Sequence, residues 1–224
     1  MKTNQEYKNI ALNALKGNWA NAVIVTIIFI LLASIIYSPG IADDLSSVYS
    51  VFGMIPPFVI YGGTLLVILV LNPLTMGFYN SFLLLLESGD NRLTANMFNI
   101  AFGKWIHNVL GILLMYVYIF LWSLLLVVPG IIKAYSYAMT PYILAEHPEL
   151  SANEAIDRSR AMMKGHKFDY FFLQLSFIGW ILLSIITLGV GMIWLMPYMY
   201  TTSAAFYSDL KSDGSETLDA ERVL

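Results

Sequence analysis

The sequence predicts an all-α membrane protein, a polytopic bundle of six transmembrane helices with amphipathic interfacial helices ahead of spans one, three and five. Three observations predict it. The 224 residues are 58% hydrophobic and 12% charged, against roughly 45–50% apolar and about 25% charged in an average soluble domain. The charges are crowded into short zones, so that the runs 17–42, 45–86, 105–132, 134–145 and 170–208 carry none. These runs make up two thirds of the chain, and a span needs about 20 apolar residues. Finally, the few bases fall on one side of the spans so drawn.

The elements follow in order within one integral membrane domain, 1–224. An interfacial helix at 3–16 opens on Thr3-x-x-Glu6 and closes at Lys16-Gly17. Span one, about 18–37, ends at Ser38-Pro39-Gly40 and is too long for a signal-peptide core of about 7–15 residues. Asp43, Asp44, Gly53 and Pro56-Pro57 mark a loop. The stretch 58–86 is too short for two spans and reads as one tilted helix kinked at Pro73. Span three, about 105–128, is closed by Pro129-Gly130, and span four, about 131–145, has Lys133 near its start. A cytoplasmic helix at 151–164 leads to spans five and six, about 170–186 and 192–207, divided by Thr187-Leu188-Gly189-Val190-Gly191. A polar tail, 209–224, completes the chain.

Cytoplasmic loops retain Lys and Arg. With six spans and both termini inside, 11 of the 12 bases are cytoplasmic: Lys2, Lys8, Lys16, Arg92, Lys104, Arg158, Arg160, Lys164, Lys167, Lys211 and Arg222. Only Lys133 lies toward the outer side.

The chain also matches itself without gaps at an offset of 148. Thr3, Glu6, Lys16 and Gly17 fall on Ser151, Glu154, Lys164 and Gly165. Both segments open on a capping box, in which a hydroxyl and a Glu satisfy orphan helix amides reciprocally. Both stop at Lys-Gly, where Lys opposes the helix dipole and Gly accepts a left-handed cap. A more degenerate middle copy runs from Thr94 to Lys104, with Phe98, Ala101, Phe102 and Trp105 on one face. Each even-numbered span holds a proline, Pro73, Pro141 or Pro197. The unit so repeated is an interfacial helix, a span, a turn and a proline-bearing return span. Such a helix lies in the headgroup region with its apolar face down. Arg158, Arg160, Lys164, His166 and Lys167 then either face anionic lipid, each charge contributing about 1 kcal/mol, or serve only to fix topology.

Chemistry is sparse. With no Cys there is no thiol catalysis and no thiolate metal site, and a net charge of −3 leaves no nucleic-acid footprint. Glu146-His147-Pro148-Glu149 sets a His between carboxylates, but the proline breaks the helical spacing of a His-Glu-x-x-His zinc site. No nucleophile elbow, P-loop or dinucleotide fingerprint occurs, and no residue demands a cofactor. Asp169 reads as a boundary residue opposite Lys167. Asn72, Asn80 and Gln174 read as helix-to-helix hydrogen bonders. Trp19, Trp105, Tyr142 and Tyr170 fit an aromatic belt. Lys133 either lines a cavity, binds an anionic headgroup or, more simply, snorkels to the outer interface.

The run Leu124-Leu125-Leu126-Val127-Val128-Pro129-Gly130-Ile131-Ile132-Lys133-Ala134-Tyr135-Ser136-Tyr137, then Ser151-Ala152-Asn153-Glu154-Ala155-Ile156 and Met163-Lys164-Gly165-His166-Lys167, resembles an uncharacterised bacterial integral membrane family. It is the one labelled domain of unknown function nine hundred seventy-five. The similarity covers almost the whole chain. More distantly, the Pro-Gly turn and Ser-x-x-Glu helix look like the membrane domain attached to some glycerophosphodiesterases, but no phosphodiesterase domain is present. The resemblance implies the plasma membrane of a bacterium, Gram-positive or a gut anaerobe, and supplies no catalytic residue.

The expectation is thus a non-enzymatic protein whose partners are membrane lipids or other membrane proteins. The alternative is a transporter or exporter subunit for a small solute, peptide or lipid, with its path between the repeats and Lys133 near the outer mouth. A polar cavity among the spans favours the second reading and a closed apolar bundle the first.

Overall fold

A computed structural model describes residues 1–37 and 67–223, and these are all-helical. The expected stop at Ser38-Pro39-Gly40, the Asp43-Asp44 loop and the first part of span two lie outside the described residues. Helix α1 (Asn4–Leu15) meets α2 (Trp19–Tyr37) at a bend of 97°. A π-helical turn, Val67–Leu71, leads into α3 (Asn72–Ser88) at Pro73, which lacks an N–H to continue the earlier ladder. Then come α4 (Leu93–Gly103), α5 (Trp105–Leu125), α6 (Val127–Ser136) and α7 (Thr140–Glu146). The chain closes with α8 (Ala152–Met162), α9 (Lys167–Leu175), α10 (Ile178–Ile186) and α11 (Met192–Val223).

Three stretches are long and apolar enough to cross a membrane: Ile68–Ser88, Trp105–Leu124 and Lys167–Ile186. A fourth is reached if the bent pair α1–α2 counts as one broken span. The stretch 131–145 is not one helix. It stops at Ser136 and restarts at Thr140, because a continuous helix would need Pro141 to donate to the Tyr137 carbonyl, and proline has no N–H. The 170–186 stretch starts earlier, at Lys167, and is interrupted at Ser176 and Phe177. There the Phe177 amide donates three residues back, to Gln174. The boundary expected near 207 is absent, since α11 runs unbroken past it.

Both capping boxes form. The Glu6 and Glu154 amides donate to Thr3 Oγ1 and Ser151 Oγ at 3.3 Å, and each Glu carboxylate accepts from its cap amide at 2.6 and 2.7 Å. Those hydrogen bonds hold both carboxyls below the usual range. Gly17 and Gly165, 148 residues apart, both take a left-handed φ, +83° and +91°. Burial repeats at the same offset. Tyr7, Lys8, Ala11 and Leu15 of the first copy are buried, as are Ala155, Ile156, Ser159 and Met163 of the third. The faces expected to rest on lipid are therefore packed on protein, α1 against α11 and α8 against α5 and α7.

The middle copy is helical too, but its buried face is Leu93, Met97 and Ala101, while Phe98, Phe102 and Trp105 are exposed. Helix α4 folds back along α3, and Trp105 Nε1 donates to the Leu69 carbonyl at 2.6 Å. The start of α5 thus lies beside the start of the α3 stretch, not beside its end. Gly77 permits the close α3–α4 contact, because a Cβ there would strike the carbonyl of Met97.

In each copy the return helix packs on the first helix of the next: α3 on α4, α7 on α8 and α11 on α1. The last pair joins the two ends of the chain and closes the order into a ring. Two hydrophobic cores result. One holds Leu15, Val25, Phe78, Phe82 and Met97, and the other Tyr7, Tyr142, Met163, Phe206 and Tyr207. Outward, α5, α9 and α10 expose large apolar side chains, up to 95% at Leu188 in the α10–α11 turn.

Candidate functional site

The return helices α3, α7 and α11 bring tyrosines together at the centre. Tyr79 stacks on Tyr200 and Tyr142, with ring centroids 4.6 and 6.3 Å apart, and Tyr142 stacks on Tyr207 at 4.9 Å. Around these rings lie two adjoining cavities of about 210 and 290 Å³, which share Tyr79, Ala138 and Tyr170 as lining. The first is also lined by Asn72, Thr75, Tyr116 and Tyr137, and the second by Tyr142, Gln174, Tyr200, Ser203 and three methionines. Gln174 Nε2 and the Tyr170 hydroxyl both donate to Ser203 Oγ, at 3.0 and 3.3 Å. Asn80 ties α3 to α7 by donating to the Pro141 carbonyl at 3.0 Å. Its own Oδ1 and the neighbouring Thr140 Oγ1 are buried without a partner among the described residues. A buried polar atom left so costs roughly 1–3 kcal/mol. No lining residue is charged, so the chamber offers hydroxyls, amides and ring faces to a guest.

The chamber is bounded at one end by ionic contacts. Lys211 reaches Glu146 at 2.7 Å and Glu87 at 3.2 Å, joining α11 to α7 and α3. The Tyr207 hydroxyl donates to Glu146 at 2.6 Å, and the Tyr7 hydroxyl to Asp209 at 2.6 Å, where Lys2 also pairs. Burial pushes the Asp209 carboxyl up, but the hydrogen bonds from Lys2 and Tyr7 outweigh it and leave the pKa lowered. Burial pulls Lys211 down, while Glu146 and Glu87 raise it overall.

Arg158, Arg160 and Lys164 are exposed on the outer face of α8 and its C-terminal turn, with Lys167 half-buried at the start of α9. Arg160 pairs with Asp157 at 3.0 Å. Asp169 meets His166 at 3.2 Å rather than Lys167. Lys133 lies over the Trp122 ring, 4.3 Å from its centroid, and 5.9 Å from that of Tyr137. It does not line either tyrosine cavity. His147 contacts Glu149 at 3.0 Å.

The sequence reading missed the chamber. It put Tyr142 and Tyr170 in an interfacial belt, whereas Tyr142 is 2% exposed and both line the cavities. The available signal was a tyrosine count of 14, with Tyr142 next to Pro141 and Tyr200 three residues beyond Pro197.

The comparisons bear on the whole of this arrangement. The family described as "Protein of unknown function (DUF975)" matches residues 1–134 and 124–213. The chain belongs to this family. No curated protein and no solved structure matches it. The two matched segments overlap in α6, so this member of DUF975 is covered from α1 into α11, including every residue of the tyrosine chamber.

Proposed function

We propose that this DUF975 member is a non-enzymatic, six-span protein of the bacterial plasma membrane, with both termini cytoplasmic, that binds anionic lipid along its cytoplasmic edge. The observation that carries this reading is the division of labour on α8. Its apolar face is spent on protein, leaving Arg158, Arg160 and Lys164 exposed with no packing duty of their own. The same station recurs in the other copies, where exposed Lys16 and Lys104 precede Trp19 and Trp105. A basic group beside an interfacial aromatic suits an anionic headgroup layer. The exposed apolar surfaces of α5, α9 and α10 fit a hydrocarbon surround.

The test is lipid enrichment around the full chain. In mixed phosphatidylglycerol and phosphatidylcholine nanodiscs, Arg158→Gln, Arg160→Gln, Lys164→Gln and Lys167→Gln together should reduce the excess of phosphatidylglycerol at the protein several-fold. Unchanged enrichment removes the reading.

The tyrosine chamber favours a second reading, movement of a neutral or weakly polar molecule through the centre of the ring. Reconstituted protein should then flip a fluorescent phospholipid or pass a neutral solute, and Ser203→Leu should slow it. Lys133→Met should leave that flux intact, because Lys133 is engaged with Trp122 and does not itself line the chamber.

A further inference from the structure

A second hollow lies apart from the tyrosine chamber and shares no lining residue with it. It is a crevice of about 400 Å³ between the α1–α2 junction, α10 and α11, walled by Leu12, Trp19, Trp180, Leu183, Trp194 and Tyr198. Trp180, Leu183 and Trp194 are each about half exposed (55%, 51% and 51%), so the crevice opens sideways onto the apolar exterior. Among the described residues none of its three indole N–H groups has an acceptor. Indoles with a free polar edge and an apolar body belong at the level of lipid ester and headgroup oxygens.

Lys8 stands next to it, one helical turn before Leu12. Its ammonium lies 4.4 Å from the centroid of the Phe177 ring, which packs edge-on against Tyr198 at 5.2 Å. Nζ donates to the Ser176 carbonyl at 2.9 Å, at the break between α9 and α10. That uses one of the three donors of an ammonium. Lys8 is only 9% exposed, yet no carboxylate among the described residues comes within ion-pair reach. Burial pulls its pKa down, and buried charges are otherwise paired. An apolar slot open to hydrocarbon beside an unpaired, sheltered cation calls for a ligand that is anionic at one end and a hydrocarbon chain along the rest.

We propose that this crevice binds a single anionic phospholipid, its acyl chain between Trp180 and Trp194 and its phosphate on Lys8. The proposal rests on the lipid-binding reading above but concerns one tightly held molecule rather than an enriched layer. Native mass spectrometry of the detergent-purified full chain, titrated with phosphatidylglycerol, phosphatidylcholine or inorganic phosphate, tests it. One phosphatidylglycerol per chain should be retained in preference to phosphatidylcholine, and inorganic phosphate should not compete. Lys8→Gln should weaken retention about tenfold, the loss of one hydrogen bond to a charged group, and Lys8→Arg should restore it. Trp180→Ala, at an exposed position that leaves the core untouched, should weaken it too. Equal retention by Lys8→Gln and the parent, or displacement by inorganic phosphate, overturns the site. The α8 quadruple variant should keep this lipid. Loss of layer enrichment with the bound lipid retained leaves both proposals standing, whereas failure of enrichment to respond removes only the first.

Discussion

At the scale of single residues, Gly77 and Asp209 carry the most specific consequences. Gly77 lies where α3 and α4 touch, and the atom facing it belongs to the backbone of Met97, with no rotamer through which to yield. Gly77→Ala should therefore force the helices apart and cost about 1–3 kcal/mol, the usual penalty of overpacking. Gly103→Ala, which meets open space, should be near neutral, and thermal unfolding in detergent separates the two. Asp209 ties α11 to α1, and its lowered pKa means that folding favours its ionised form. Its contribution is thus fully present above the unfolded carboxyl value, about 3.9, and disappears as pH falls through the lower folded value. The stability gap between the parent and Asp209→Asn should be constant from pH 7 to 5 and close below about pH 4. A gap that persists at pH 2 contradicts this assignment.

Single elements were legible where local chemistry decides them. The two capping boxes and their left-handed glycines are written in Thr3, Glu6 and Gly17 and again in Ser151, Glu154 and Gly165, and all of them form. If these helices are copies of one unit, the caps are equivalent devices. Thr3→Ala and Ser151→Ala should each cost about 1 kcal/mol, and amide exchange should show fraying limited to the first turn of α1 or of α8. What periodicity could not tell is which medium receives an apolar face. Tyr7, Ala11 and Leu15 mark one face of α1 equally well whether lipid or protein covers it, and the choice depends on α11, nearly two hundred residues away. The prolines misled in a related way. Pro141 was visible inside span four, but its effect is a full break after Ser136, because the missing N–H falls where Tyr137 and Met139 are drawn into the core. Tyrosine positions are ambiguous for the same reason: an aromatic side chain beside a polar zone suits a belt or a chamber wall, and only the packing of three return helices decides.

Across the whole molecule, the ring of α3 on α4, α7 on α8 and α11 on α1 makes the two ends of the chain interdependent. It also brings the topology to a sharp test. The six-span reading puts Lys16, Lys104 and Lys164 on one side of the membrane, at the same station of each copy. Fold geometry strains this in two places: the middle copy, where α4 folds back along α3 and Trp105 reaches Leu69, near the start of the α3 stretch, and the final hairpin, where Thr187 and Gly191 share a crevice with Leu12 and Trp19 of the α1–α2 junction. The ionic contacts of Glu87 with Lys211, unfavourable within hydrocarbon, fit an end of α3 at the membrane edge. Because the chain has no cysteine, single cysteines can be introduced without background. Lys16→Cys, Lys104→Cys and Lys164→Cys should resist a membrane-impermeant maleimide in intact cells and react after permeabilisation, while Leu188→Cys, at the α10–α11 turn, should behave in the opposite way. Labelling of Lys104→Cys in intact cells would put the start of α5 outside and reduce the number of complete crossings. Labelling of none, Leu188→Cys included, would mean that the final hairpin stays within the bilayer.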